Sequence, residues 1–289
     1  MTARQAAFLV GFGAVLALSA PASLPAQPAG GASSGYNTVK QKLANGQQVV
    51  AGTVSIPDPE IYCAVANAGF DLTWIEMQHS PLTYQDVARM LMACKGAPAI
   101  PFIRVPDATE GDIQKAADIG ALGIIVPMVD TIEKAEAAVR FAKYPPIGRR
   151  SQGGGQYGAL WGSGYRQTAN ANIMVVALIE NPAGVDIADR IAAVPGIDVV
   201  FVASTDLGSF SGLKQGDPKY EALVTKTEAG VLNAKRYLGG PLAWRDRKGY
   251  QFFQGPGETA LLTCGARTVL GVKPTGCPSG PVAKIEGSK

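Results

Sequence analysis

A single histidine, a strand-ending arginine and two carboxylates are the groups in this 289-residue chain whose types and positions suggest chemistry. His79, the sole histidine, follows Glu76-Met77-Gln78 and precedes Ser80-Pro81. A neutral imidazole can accept a proton near neutral pH, directly or through water; a lone histidine can equally be a surface or satisfied core residue. Arg104 lies in Phe102-Ile103-Arg104-Val105-Pro106. Its guanidinium would either clamp a substrate carboxylate and polarise a carbonyl, or pair with an acid on a neighbouring strand. Glu180 and Asp206 each follow an apolar run. Two such carboxylates, completed by water and a chelating substrate, make an oxygen-rich octahedral site suited to Mg²⁺ or Mn²⁺ rather than zinc. The competing reading is that each acid caps the next helix. Asp118, in Ala116-Ala117-Asp118-Ile119-Gly120, falls at a helix end and taken alone reads as surface charge.

These groups matter only if the fold brings them together. From residue 49 onward, short runs rich in β-branched and aromatic residues alternate with longer stretches of helical period. The expected strands cover residues 49–56, 71–78, 99–105, 123–129, 174–180, 198–204, 241–245 and 268–272. The expected helices cover 58–68, 83–94, 110–119, 131–142, 183–194, 220–235 and 257–264. Strands separated by helices run parallel, and eight such units predict a closed TIM (β/α)8 barrel. The rival, an open doubly wound sheet, usually carries a glycine-rich phosphate turn after its first strand; here that position reads Ser55-Ile56-Pro57-Asp58. Asp58, Thr83 and Thr131 are placed to cap helices, and Gly69, Gly120 and Gly196 to end them. In a barrel, active sites occupy the C-terminal rim of the strands. That rim is where His79, Arg104, Glu180 and Asp206 are expected. The Gly- and Gln-rich stretch between Tyr144 and Ile173 starts at the opposite end, with room for short helices or a subunit contact.

The net charge of +3, without a dense Lys/Arg cluster, argues against a nucleic-acid partner. Arg4, the apolar run from Ala6 to Leu18 and the small residues after it read as a signal peptide over residues 1–26, implying export to the periplasm or medium. The run is short for a membrane span, so no stable span is expected after cleavage. Residues 27–36 read as a leader, 37–275 as the barrel and 276–289 as a tail. Of four cysteines, Cys264 and Cys277 are the better candidates for a disulfide, while Cys63 and Cys94 read as small buried apolar residues on helices.

Several segments resemble the HpcH/HpaI aldolase family. Ala68-Gly69-Phe70-Asp71 through Ile75-Glu76-Met77-Gln78-His79-Ser80-Pro81 resembles its "AGFDxxxIDxEHxP". Ile103-Arg104-Val105 resembles "VRV", and Tyr144-Pro145-Pro146-Ile147-Gly148-Arg149-Arg150 resembles "YPPxGxRG". Asp118 through Val129 resembles "LDxGAxGxxVPxV", Ile179-Glu180 resembles "QIE", and Gly196 through Leu207 resembles "GVDxxFxGPxDLS". The resemblance implies a divalent metal, Mg²⁺ or Mn²⁺ with Co²⁺ as a further option, on Glu180 and Asp206. It implies His79 as the proton-transfer residue, Arg104 as the group that binds substrate and stabilises a pyruvate enolate, and Asp118 as the histidine's partner, across a subunit interface or within the chain. It places Ser204 and Thr205 against the substrate, and implies a homo-oligomer, a trimer of dimers. The implied reaction is reversible cleavage of a 4-hydroxy-2-oxo acid to pyruvate and an aldehyde through a metal-bound enolate. Alternatives are other pyruvate-enolate chemistry, such as oxaloacetate decarboxylation, and an exported protein that binds oxo acids without turnover. The chain departs from the pattern at Glu76 (Asp), Gln78 (acid), Leu178 (Gln), Ser204-Thr205 (Gly-Pro) and Ser55 (the Trp of an early "GxW").

Overall fold

The structure is a computed structural model that describes residues 35–273 and Cys277. The expected signal peptide, all but the end of the leader and nearly all of the tail lie outside the described residues. Eight parallel strands close into a barrel in sequential order: β1 (Val49–Val54), β2 (Leu72–Glu76), β3 (Ile100–Arg104), β4 (Gly123–Val126), β5 (Met174–Ile179), β6 (Val199–Val202), β7 (Tyr237–Pro241) and β8 (Tyr250–Gly257). This is the (β/α)8 architecture read from the sequence. The expected caps are present: Asp58, Thr83 and Thr131 each accept backbone N–H groups at a helix start. Gly69, Gly120 and Gly196 all have positive φ at helix ends, a conformation glycine adopts without a Cβ penalty.

The last two strands depart from the expectation. Of residues 241–245 only Pro241 is strand, as the end of β7; the next three form a 3-10 turn, Leu242–Trp244. Residues 268–272 close the last helix, Glu258–Val269, and the strand expected there is instead β8. β7 reads Tyr237-Leu238-Gly239-Gly240-Pro241, poor in strand formers. Its glycines are required by packing: a Cβ on Gly239 would collide with the Phe201 ring. β7 and β8 are also joined without an α-helix, which breaks the alternation used to find the others.

The barrel interior is an aromatic plug. Trp74, Phe102, Phe201 and Phe252 are buried, with Trp74 and Phe201 5.2 Å apart at their centroids and Phe102 and Phe252 5.7 Å apart. A Cβ on Gly123 would fall within the Phe102 ring, so β4 can pass beside it only as glycine. At the bottom, Thr38–Ala44 forms a helix that the sequence reading missed, capped by Asn37, whose side chain donates to the carbonyls of Leu122 and Asn172. The 144–173 stretch holds two short helices, Tyr157–Trp161 and Tyr165–Asn172, and covers the same end. Arg150 lies buried there beside the rings of Tyr144, Tyr157 and Tyr165. Cys63 and Cys94 do not remain thiols: they form a disulfide between the helices Pro59–Asn67 and Tyr84–Ala93. Helix periodicity reports burial, not pairing, so this bond left no mark on the residue pattern. Cys264 and Cys277 pair as expected.

Two expectations follow from this packing. Gly123→Ala should destabilise the fold by about 1–3 kcal/mol through overpacking against Phe102, read from the denaturation midpoint. Lys143 is buried and donates to the carbonyls of Asn170 and Ile173. Burial lowers its ammonium pKa from 10.5 to about 8, with Asp198 opposing the shift. Between those values the unfolded chain holds more protons, so this group's contribution to stability rises with pH across the window and is constant below it. Lys143→Met should abolish that rise in a plot of thermal midpoint against pH.

Candidate active site

β2 and β3 pair in register with Glu76 opposite Arg104. Residues two apart on a strand share a face, so Trp74 and Glu76 project together, as do Phe102 and Arg104. The aromatic plug therefore carries a charged layer directly above it at the C-terminal rim. Arg104 donates through Nη1 to Glu76 Oε2 at 3.2 Å and through Nη2 to Glu180 Oε1 at 2.9 Å. All three side chains are buried.

Each carboxylate has further donors. Glu76 accepts from Trp74 Nε1 at 3.2 Å and from the amides of Gln78 and His79 at 2.9 and 3.1 Å. The Ser80 hydroxyl donates to the Glu76 carbonyl. Glu76 thus pins the turn that carries His79. Glu180 Oε2 accepts the Met128 amide at 2.7 Å. Met128 has φ of +52°, a left-handed conformation that costs a non-glycine residue about 1–2 kcal/mol and here aims an N–H at the carboxylate.

The capping reading does not hold for Glu180. The helix Pro182–Asp186 is capped by Asn181, whose Oδ1 accepts from the Gly184 amide. Asp206 sits in the first turn of the helix Ser204–Ser211, which has no side-chain cap bond. Burial holds the Glu180 carboxyl above its usual range, and the Asp206 charge adds to the rise. Arg104, the Met128 N–H and His79 act in the opposite direction. Asp206 and His79 thus lie within electrostatic reach of Glu180. His79 is exposed at the mouth.

The remaining expected residues are placed differently. Ser204 is buried, its hydroxyl 3.3 Å from Gln215 Nε2, while Thr205 is exposed. Asp118 ends the helix that descends from β3, at the opposite end of the barrel from Arg104 within one chain. There it accepts from Arg150 Nη2 at 2.7 Å. Of the two readings offered for Arg104, the pairing with an acid on a neighbouring strand is present, and that acid, which the sequence left unnamed, is Glu76 at the end of β2.

Polar atoms remain unused at this rim. Arg104 Nε and Gln78 Oε1 are buried without a hydrogen-bond partner among the described residues. No group of three or more His, Cys, Asp or Glu side chains able to hold a metal gathers among the described residues. Glu180 and Asp206, the two acids expected to hold a metal, offer only oxygen donors and interact electrostatically. Oxygen donors of that kind fit a hard divalent cation that takes its other ligands from water and substrate.

The model of the HpcH/HpaI aldolase/citrate lyase family matches residues 54–253. The chain belongs to this family. A hydroxypyruvate/pyruvate aldolase of Rhizorhabdus wittichii is 32% identical over 251 residues, covering 81% of this chain and 97% of that protein. A 4-hydroxy-2-oxovalerate aldolase of Novosphingobium aromaticivorans is 33% identical over 224 residues, covering 76% and 85%. The crystal structure of an HpcH/HpaI aldolase/citrate lyase family protein from Burkholderia cenocepacia superposes with a TM-score of 0.74 at 30% identity, covering 81% and 98%. Like other HpcH/HpaI aldolases, the protein is a carbon–carbon lyase.

Removing the central cation of this HpcH/HpaI site should be costly. Arg104→Met leaves two buried carboxylates without their shared partner, and we expect a loss of about 3–5 kcal/mol in folding stability by chemical denaturation.

Proposed function

We propose that this family member is a divalent-metal-dependent aldolase that reversibly cleaves a 4-hydroxy-2-oxo acid to pyruvate and an aldehyde. The observation that carries the reading is a charge imbalance at the rim. Arg104 offsets only one of the two carboxylates it bridges, and Asp206 adds a further negative charge close enough to raise the Glu180 pKa. A cation at Glu180 and Asp206 relieves that repulsion. When bound there, Mg²⁺ or Mn²⁺, or Co²⁺, supplies a Lewis acid for the 2-oxo group of the substrate.

The chain's own groups then have distinct tasks. Arg104, fixed by its two carboxylates, holds a positive charge at the rim for the negative charge that develops as the C3–C4 bond breaks. His79 stands at the mouth, where the 4-hydroxyl proton must leave, and accepts it directly or through water. The electron pair of the C3–C4 bond passes to the pyruvate fragment, the C4 oxygen becomes the aldehyde carbonyl, and a proton returned to C3 completes pyruvate. Ser204 and Thr205 immediately precede Asp206 at the same helix start, where the family resemblance implies substrate contact.

The setting follows from the same proposal. Two disulfides suit an oxidising compartment, in line with export. The last helix exposes Leu262 and Val269, followed by exposed Leu270 and Val272. A second copy of the chain would cover that apolar surface, as in the trimer of dimers implied by family resemblance. In such an assembly Asp118, one oxygen fixed by Arg150, would meet a neighbour's histidine.

The decisive experiment compares metal-dependent cleavage of 4-hydroxy-2-oxo acids by the wild type and two variants. Glu180→Gln should lose the thermal stabilisation given by Mn²⁺ together with nearly all turnover; undiminished turnover refutes the ligand assignment. His79→Ala should keep the metal response while kcat for cleavage falls by about 10²–10⁴. Loss of metal binding in that variant would make the histidine a ligand instead.

A further inference from the structure

A buried carboxylate elsewhere on this rim has no part in the mechanism above. Glu258 opens the helix that follows β8 and is 3% exposed. Its Oε1 accepts from the Ser55 amide at 2.7 Å, the Ser55 hydroxyl at 3.0 Å and the Ile56 amide at 2.7 Å. Its Oε2 is enclosed and has no hydrogen-bond partner among the described residues. An acid buried in this way, with one oxygen saturated and the other bare, is uncommon enough to need an account.

The strand pattern shows which way Ser55 faces. A Cβ on Gly52 would strike Val65 of the helix Pro59–Asn67, so Gly52 points outward from β1. Ala51 and Thr53 therefore face the barrel interior, and continuing the alternation turns Ser55 to the mouth. Register agrees: Val54 pairs with Ile75, which sets Ser55 level with Glu76 in the charged layer. Ser55 is half-buried, accessible where Glu258 is not. It also replaces the tryptophan of the family pattern, exchanging a large apolar wall for a hydroxyl.

Donor accounting gives that hydroxyl a direction. Its hydrogen is committed to Glu258, so it presents only lone pairs to the mouth. The bare Oε2 leaves the carboxylate charge behind it, strengthening the hydroxyl oxygen as an acceptor. A wall of this kind favours a group that carries an O–H or N–H donor and disfavours a carboxylate or phosphate.

We propose that Ser55 is a specificity-determining residue for the carbonyl partner of the aldol reaction, held in an accepting orientation by Glu258 as a positioning residue. The partner it selects bears a hydroxyl close to its aldehyde and no anionic group nearby. This rests on the aldolase reading, and the test separates the two. Glycolaldehyde and propanal have nearly the same shape and differ by a hydroxyl in place of a methyl group. The ratio of their kcat/KM values in addition to pyruvate with Mg²⁺ is measured for the wild type, Ser55→Ala and Glu258→Gln. Solvent deuterium exchange into the methyl group of pyruvate is followed in parallel. The ratio should fall about tenfold in Ser55→Ala, the effect of one hydrogen bond, and should fall in Glu258→Gln as well. Purely structural damage would lower both acceptors together and leave the ratio in place. A ratio unchanged in both variants, with pyruvate exchange intact in the wild type, overturns the subsite alone. A wild type that exchanges no pyruvate protons overturns the aldolase reading and the subsite with it.

Discussion

A guanidinium held between two carboxylates organises this molecule. Arg104 reaches Glu76 on the adjacent strand and Glu180 after β5, and all three groups are out of water. Taking charges from water costs several kcal/mol each, and mutual attraction offsets this only when the geometry is good and the remaining lone pairs are filled. Here they are filled by Trp74, by the amides of Gln78 and His79, and by the amide of Met128. The same contacts that make the charges tolerable also fix the turn bearing His79 and the strained residue beside Glu180. Stability and the placement of reactive groups are therefore properties of one network.

The layer beneath explains why the network is strong. Trp74, Phe102, Phe201 and Phe252 fill the barrel where smaller branched residues are usual. They provide a dry, apolar floor of low dielectric constant, on which each charge–charge term exceeds its value in water. Room for those rings comes from Gly123 and Gly239, on strands that would otherwise carry side chains inward. The cost in strand propensity at β7 is thus tied to the electrostatics of the mouth, two features far apart in sequence.

That link also marks how far the sequence could be read. β1 to β6 were legible because each is an apolar run between helices with recognisable caps. β7 and β8 were not, because Gly239 and Gly240 answer to packing against neighbouring rings and no α-helix separates the pair. The rim position of Arg104 and Glu180 was legible because each ends an apolar strand, while His79 and Asp206 fall in the turn and the helix that follow β2 and β6. Glu76 and Glu258 were not assigned roles, since what distinguishes them is the set of N–H groups around them, which exists only after folding. The Cys63–Cys94 bond depends on two helices lying side by side, and Asp118 ends at the foot of the barrel within its own chain.

The aromatic plug has one more consequence, for traffic. A barrel stoppered from within has no rear exit, so whatever enters through the rim must depart by it. If a bond is cut in such a well, the two pieces share one doorway, and the shallower blocks the deeper until it has gone. Release is then ordered by depth: the fragment against Arg104 leaves last, and in the synthetic direction it must arrive first.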